Sequence, residues 1–258
     1  MGFSLMRPVL VRYVLKAAAR DRLVLSLLAA FIVASSLSMF MGSSAVVEKN
    51  IFALVFMGAG LRMAGVVGLI LFVVFFVRRS FDARDVEFLL SRPVTRAQFL
   101  LSFAVGFWIL AILTALVQGF AVGILTPGFV SAGSLLWTAS LAIENIMIVS
   151  VAFFFSLILT SAATAAMASF GFYVLGRMMG EILGIMAAGG LGSWLVLPSH
   201  VMTMISMLIP RLDLLGQTSW LVYGTAGSVG YGFLIAQGLV FTALILTAAM
   251  IDLVRRKF

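Results

Sequence analysis

Residues 78–98 read Arg78-Arg79-Ser80-Phe81-Asp82-Ala83-Arg84-Asp85-Val86-Glu87-Phe88-Leu89-Leu90-Ser91-Arg92-Pro93-Val94-Thr95-Arg96-Ala97-Gln98: five arginines, three acids and a proline between two apolar stretches of membrane length. The chain around them is hydrocarbon-like, 63% hydrophobic and only 10% charged over 258 residues, with a mean hydropathy of +1.22. A soluble domain carries about 25% charged residues, so the composition specifies a polytopic membrane protein. The apolar stretches are apolar on all sides rather than alternating. Their backbone groups must therefore be satisfied within helices and not in a barrel.

Within this polar interruption Asp82 is a natural N-cap, Asp85 falls at N3, and Phe81 with Val86 can form a hydrophobic staple. These signals predict a short helix from Ala83 to about Ser91, ended by Pro93, because the residue before a proline avoids helical geometry. Thr95 and Gln98 then form a capping box, with Val94 and Phe99 as a second staple, and launch the next apolar stretch. The expected shape is a rigid elbow. Phe88, Leu89 and Leu90 offer an apolar knob rimmed by Glu87 and Arg92, the make-up of an interface centre; an amphipathic connector lying on lipid headgroups is the alternative.

Working outward, six spans can be drawn: Leu23–Met41, Arg62–Val77 (with a start as early as Phe52), Phe99–Leu125, Leu135–Leu159, Ala162–Gly184 and Tyr231–Leu253. Basic residues cluster before the first span (Arg7, Arg12, Lys16, Arg20, Arg22), in the 78–98 loop (Arg78, Arg79, Arg84, Arg92, Arg96) and after the last span (Arg255, Arg256, Lys257). Of the 17 basic residues only Lys49, Arg62, Arg177 and Arg211 lie elsewhere. This bias predicts that both termini and the 78–98 loop are cytoplasmic, and it explains the net charge of +8 without nucleic acid. The first span does not read as a signal peptide: its basic region is too long and Ser43-Ser44-Ala45 is a poor cleavage site. Residues 1–22 instead suggest an interfacial helix, with Pro8 in the first turn and Arg12, Lys16 and Arg20 on one stripe. The 185–230 segment is apolar but broken by Gly189-Gly190, Pro198 and Pro210. It reads as outer-surface helices, partly embedded or re-entrant, with Trp194, Trp220 and Tyr223 at headgroup level. The whole chain, 1–258, is expected to be one all-α transmembrane domain.

Arg62, Glu144, Arg177 and Glu181 fall inside the expected spans, where a charge costs at least about 2.5–3.5 kcal/mol. Arg62, Glu144 and Arg177 each lie 16 residues from an inner span end (Arg78, Thr160 and Ser161), which puts all three about 24 Å above the inner surface. Opposite charges at one depth point to Arg62–Glu144 or Arg177–Glu144 pairing, with Arg177 and Glu181 one turn apart. Two roles are open to this layer: a structural pair or snorkelling, or gating and contact with a polar headgroup. Gly176, Gly180 and Gly184 recur at four-residue spacing and suit close helix packing. No cysteine and a single histidine, His200, leave no metal site and little catalytic chemistry. The 15 methionines and 23 phenylalanines read as lipid-facing bulk and packing filler, with a copper relay at Met202, Met204 and Met207 as the lesser alternative. No G-x-x-x-x-G-K-[ST] phosphate loop occurs, so any ATP-driven transport needs an ATPase on another chain.

The stretch Asp85 to Arg96 resembles the inner loop of type-2 ABC exporter permeases, with an acid, a leucine pair, a proline and then an arginine. Ile209-Pro210-Arg211-Leu212-Asp213-Leu214 followed by Trp220-Leu221-Val222-Tyr223-Gly224 resembles the outer segment of permeases related to multicopper-enzyme maturation, and the Asp252 to Phe258 ending is similar to their basic-aromatic tail. The resemblance implies a permease subunit of the bacterial inner membrane, as a homodimer or paired with a similar permease and bound to an ABC ATPase subunit dimer. ATP and Mg would belong to that partner, with no cofactor in this chain. It also implies that Asp85, Glu87, Phe88, Leu89, Leu90 and Arg92 form the ATPase-coupling surface. A slight preference falls on an amphipathic or lipid-like cargo. A secondary transporter or channel without a motor is the competing expectation, opposed by the lack of paired half-helices and the scarcity of mid-membrane carboxylates for ion coupling.

Overall fold

The computed structural model describes residues 6–44, 48–83, 95–125, 131–187, 209–225 and 230–255. Its elements are α1 (Pro8–Arg20), α2 (Leu23–Ser44), α3 (Lys49–Asp82), α4 (Arg96–Leu125), α5 (Ala132–Ile158), α6 (Ala162–Ala187), a 3-10 turn (Leu212–Leu214), α7 (Ser219–Tyr223) and α8 (Tyr231–Arg255). No strand occurs among the described residues. Five helices, α2, α3, α4, α5 and α8, are long and apolar enough to cross a membrane, and the chain is a multi-pass membrane protein. α6 matches them in length at 26 residues but is diluted by alanine, glycine and serine and by Arg177 and Glu181.

Local signals fix most helix starts. Pro8 opens α1, where its missing N–H removes no helical bond. The Thr95–Gln98 box forms as expected: the Thr95 N–H donates to Gln98 Oε1 and the Gln98 N–H to Thr95 Oγ1, each at 3.2 Å. Ser131 and Ser134 build a second box at the head of α5. Many hydroxyls inside the helices are satisfied on the helix itself, although Thr242 Oγ1 on α8 has no partner among the described residues. Ser38, Ser80, Thr114, Ser150, Ser156 and Ser169 each donate to the carbonyl four residues back, which lets a polar residue sit in hydrocarbon.

Two boundaries differ from expectation. The expected span Arg62–Val77 is the second half of a 34-residue α3, a rod about 51 Å long. Asp82 is therefore the last residue of α3 and not an N-cap, and Ala83 closes the helix by donating to the Arg79 carbonyl at 2.9 Å. The chain stays helical because the ladder of α3 outlasts its apolar run and the polar residues 78–82 extend it into the interface.

α3, α4 and α5 form the centre; α2 packs on α3, α6 on α3 and α5, and α8 on α5 and α4. α1 lies across the start of α4, with Leu10, Val14 and Ala18 buried and Arg12, Lys16 and Arg20 outward, as the stripe predicted. Close approach needs small residues: a Cβ on Gly106 would lie 2.8 Å from Val14 Cβ, and one on Gly42 would lie 2.7 Å from Ala53 Cβ. The half of the core nearer Arg78 and Arg96 is aromatic. Phe99 and Phe103 have centroids 4.4 Å apart, Phe107 and Phe153 5.2 Å, and Phe76 joins Phe103 at 5.8 Å, so part of the phenylalanine content is core rather than lipid-facing.

Candidate functional site

The three charges expected at one depth do meet, beneath the segment 211–216. Arg62 enters from α3, Glu144 from α5 and Arg177 from α6. The Arg62 guanidinium donates to the Gly216 carbonyl at 2.6 Å. Arg177 donates through one nitrogen to the carbonyls of Leu212 and of Leu215, the latter at 2.7 Å. The Gly216 N–H donates to Ser140 Oγ on α5 at 3.0 Å. Leu212 and Leu215 are fully buried, so the 3-10 turn is a plug seated in the bundle and held by three helices. Gly216 permits the seat: its φ is +58°, and a Cβ there would meet Glu144 Oε2 at 3.0 Å and Arg62 Nη1 at 3.3 Å. Above it, Arg211 grips Asp213 with two nitrogens, at 2.8 and 3.4 Å, and this hydrogen bonding holds its guanidinium above the ordinary value.

Glu144 is completely buried beside the Tyr173 hydroxyl, and neither of its carboxylate oxygens has a hydrogen-bond partner within 3.5 Å among the described residues. No nitrogen of Arg62 or Arg177 comes within 4.0 Å of it; the ion pairs among the described residues are Arg79–Asp21 and Arg211–Asp213. The direct pairing expected from the sequence is thus replaced by a looser arrangement in which both arginines spend donors on plug carbonyls and stand near Glu144 without touching it. Further polar atoms on these helices are half-satisfied. Gln118 Nε2 donates to the Leu61 carbonyl at 2.7 Å and Asn145 Nδ2 to the Ala111 carbonyl at 3.4 Å, while Gln118 Oε1, Asn145 Oδ1 and Arg62 Nε are unpartnered among the described residues. Tyr173, one turn before Arg177, donates to Met63 Sδ at 3.7 Å.

Arginines gather the opposite end of the bundle as well. Arg78 donates to the carbonyls of Leu159, at 3.3 Å, and Thr160, at the α5–α6 turn. Arg79 pairs with Asp21 at the α1–α2 corner at 2.7 Å. Arg96 donates to the last carbonyls of α8, Leu253 at 2.8 Å and Val254 at 2.7 Å. Cations on helix C-terminal carbonyls satisfy orphan acceptors and suit the negative end of the helix dipole. The two stems flanking residues 84–94 are therefore fastened to three other junctions.

Several expected residues fare differently. Asp85, Glu87, Phe88, Leu89, Leu90 and Arg92 lie outside the described residues, as do Trp194, His200, Met202, Met204 and Met207. Glu181 is exposed and forms no ion pair among the described residues, so it stands apart from the cluster. Gly176 and Gly180 do allow close packing, but against Leu212 and Asp213 of the plug and not a second helix, and a Cβ on Gly184 would meet nothing within 4 Å among the described residues. Trp220 is buried on α7 against α5, whereas Tyr223 is exposed. Sequence reasoning missed Ser140, Tyr173 and Gly216. Ser140 and Tyr173 each stand four residues from a member of the charged layer, the spacing that shares a helix face, and could have been found that way.

No cluster of potential metal ligands occurs among the described residues. Neither a family model nor a curated protein matches this chain.

Proposed function

We propose that this chain is the transmembrane permease subunit of an ATP-driven exporter in the bacterial inner membrane. It would have six spans, counting α6, with both described ends cytoplasmic. A second permease copy would complete the pathway, and a separate ATPase dimer would dock on residues 84–94 through Asp85, Glu87, Phe88, Leu89, Leu90 and Arg92. The observation that carries the reading is the fastening of both stems: Arg78, Arg79 and Arg96 tie the flanks of this loop to the α1–α2 corner, the α5–α6 turn and the end of α8. A push on the loop is then delivered to the whole inner rim. α3 carries it outward, because the same rod that ends in Arg78 and Arg79 also holds Arg62 against the plug. Rim movement would loosen or tighten the Arg62 and Arg177 contacts and change access from outside.

The test is co-purification with function. Tagged protein should bring down an ATPase, and Leu89→Asp should abolish both that capture and transport while leaving membrane insertion intact. Transport by a preparation free of any ATPase would end this reading. One observation favours the motor-free alternative: unpartnered Glu144 is the kind of buried acid that proton-coupled carriers use. Transport driven by a pH gradient alone, and lost in Glu144→Gln, would establish that second reading instead.

A further inference from the structure

The inner corner where α1 turns into α2 carries a second site, independent of the export reading. A cavity of about 450 Å³ opens there between α1 and α3, lined by Tyr13, Lys16, Arg20, Asp21, Arg79 and Ser80. A second hollow of about 320 Å³ runs on between α2 and α3, walled by Gly68, Leu71, Phe72 and Phe75. The two share Asp21, Phe76 and Arg79, so a polar mouth continues into an apolar groove. Asp21 is engaged by Arg79 at 2.7 Å, which pins the corner to α3 and leaves Lys16 and Arg20 without an acidic partner among the described residues. Tyr13 closes the wall by packing on Phe76 and Phe103, at 5.7 and 6.4 Å. The corner joins an amphipathic helix to a membrane-crossing one, which places the mouth at headgroup depth and the exposed Leu71 and Phe75 in the acyl region.

We propose that this corner binds one anionic phospholipid, with its phosphate between Lys16 and Arg20 and an acyl chain along the α2–α3 groove. Net positive charge at the mouth and hydrocarbon below it match the two ends of such a lipid, and basic pockets between membrane helices suit this ligand class.

Native mass spectrometry of the detergent-purified chain, titrated with phosphatidylglycerol or with phosphatidylcholine of the same chains, tests it. The wild type should hold one phosphatidylglycerol in clear preference to phosphatidylcholine. Lys16→Ala with Arg20→Ala should weaken phosphatidylglycerol about 30-fold, roughly a fivefold loss per cation, and leave phosphatidylcholine unchanged. Arg12→Ala removes a charge from the same helix outside the cavity and should change nothing. Equal losses in Arg12→Ala would replace the site by a diffuse surface charge. Unchanged binding in the double variant, or equal binding of the two lipids, would overturn the proposal. Equally tight binding of soluble glycerol phosphate would overturn it in favour of a free-phosphate site. If the double variant folds poorly, Leu71→Trp tests the acyl seat instead: it fills the groove with every charge in place and should weaken phosphatidylglycerol, and unchanged binding would overturn the proposal.

Discussion

Replacing Arg177 with methionine should unlatch the outer plug without unfolding the bundle. Arg177 supplies hydrogen bonds to the carbonyls of the buried residues Leu212 and Leu215, the Leu212 carbonyl also accepting from the Leu215 N–H at 3.0 Å. Hydrogen bonds to charged donors contribute about 1.5–3 kcal/mol, whereas those between membrane helices average only about 0.6 kcal/mol, so the lower end of the first range is appropriate. Two bonds at about 1.5 kcal/mol each shift the opening equilibrium by roughly 100-fold. The substitution leaves Arg62 beside Glu144, so the buried acid keeps one counter-charge. The natural chain has no cysteine, which allows a clean assay: Leu215→Cys places a single thiol at a fully buried plug position. Its maleimide labelling rate should rise about 100-fold when Arg177→Met is added, and about tenfold with Arg177→Lys, which keeps one donor and the charge. A Val74→Cys reporter, fully buried in α3 far from the plug, should stay unlabelled in both backgrounds and so separates unlatching from unfolding. A plug labelling rate within twofold of the parent would refute the latch.

Gly216→Ala should destabilise the protein by about 2–3 kcal/mol in reversible denaturant unfolding, from left-handed strain of about 1–2 kcal/mol plus crowding of Glu144 and Arg62; a loss below 0.5 kcal/mol would deny the tight seat. A double-mutant cycle of Arg62→Met with Glu144→Gln should show a coupling of about 1–3 kcal/mol, and additive losses would mean that the two charges do not sense each other. Arg96→Ala removes both contacts to the end of α8 and should raise the labelling of a thiol introduced at Leu253, a buried position, by at least tenfold; an unchanged rate would deny the inner clamp.

Helices written as long apolar runs were legible to within a few residues. The expected start at Tyr231 matches α8, and the Thr95–Gln98 box sets the head of α4, because a run of hydrocarbon and a cap are both local properties; α6 also starts at Ala162 as expected, though it is less apolar than the five spans. The extent of α3 was not legible, since a helix that leaves the hydrocarbon keeps its ladder without keeping its hydropathy. Depth counting brought Arg62, Glu144 and Arg177 together correctly, because all three ride helices of fixed rise. It could not foresee what the arginines would bind. Their partners are main-chain carbonyls of Leu212, Leu215 and Gly216, which carry no side-chain signature, and that is why an ion pair was expected where a latch is found. Gly176 and Gly180 failed in the same way: spacing reports that something packs closely, not what packs there.

In a bilayer, apolar contact between helices has little advantage over contact with lipid, so polar attachments decide how a helix can move. α3 is attached near both ends. Toward one end, Arg62 and the Leu61 carbonyl bind Gly216 and Gln118; toward the other the successive residues Arg78 and Arg79, about 100° apart around the helix, reach the α5–α6 turn and the α1–α2 corner. A rod held at two heights and in several directions cannot slide or turn at one end alone. Displacement of the Arg78 end must reach Arg62 unless α3 bends, and a bend needs a proline, a glycine or serine pair, an inserted group or a break in its ladder. Gly65 and Gly68, between the two attachments, are packed against Gln118 and Leu27. Residues 49–82 contain no proline. Breaking the helix between the two attachments, with Leu69→Pro, should therefore leave both latches formed but independent: Arg79 variants would then no longer alter plug labelling, as they should in the intact rod.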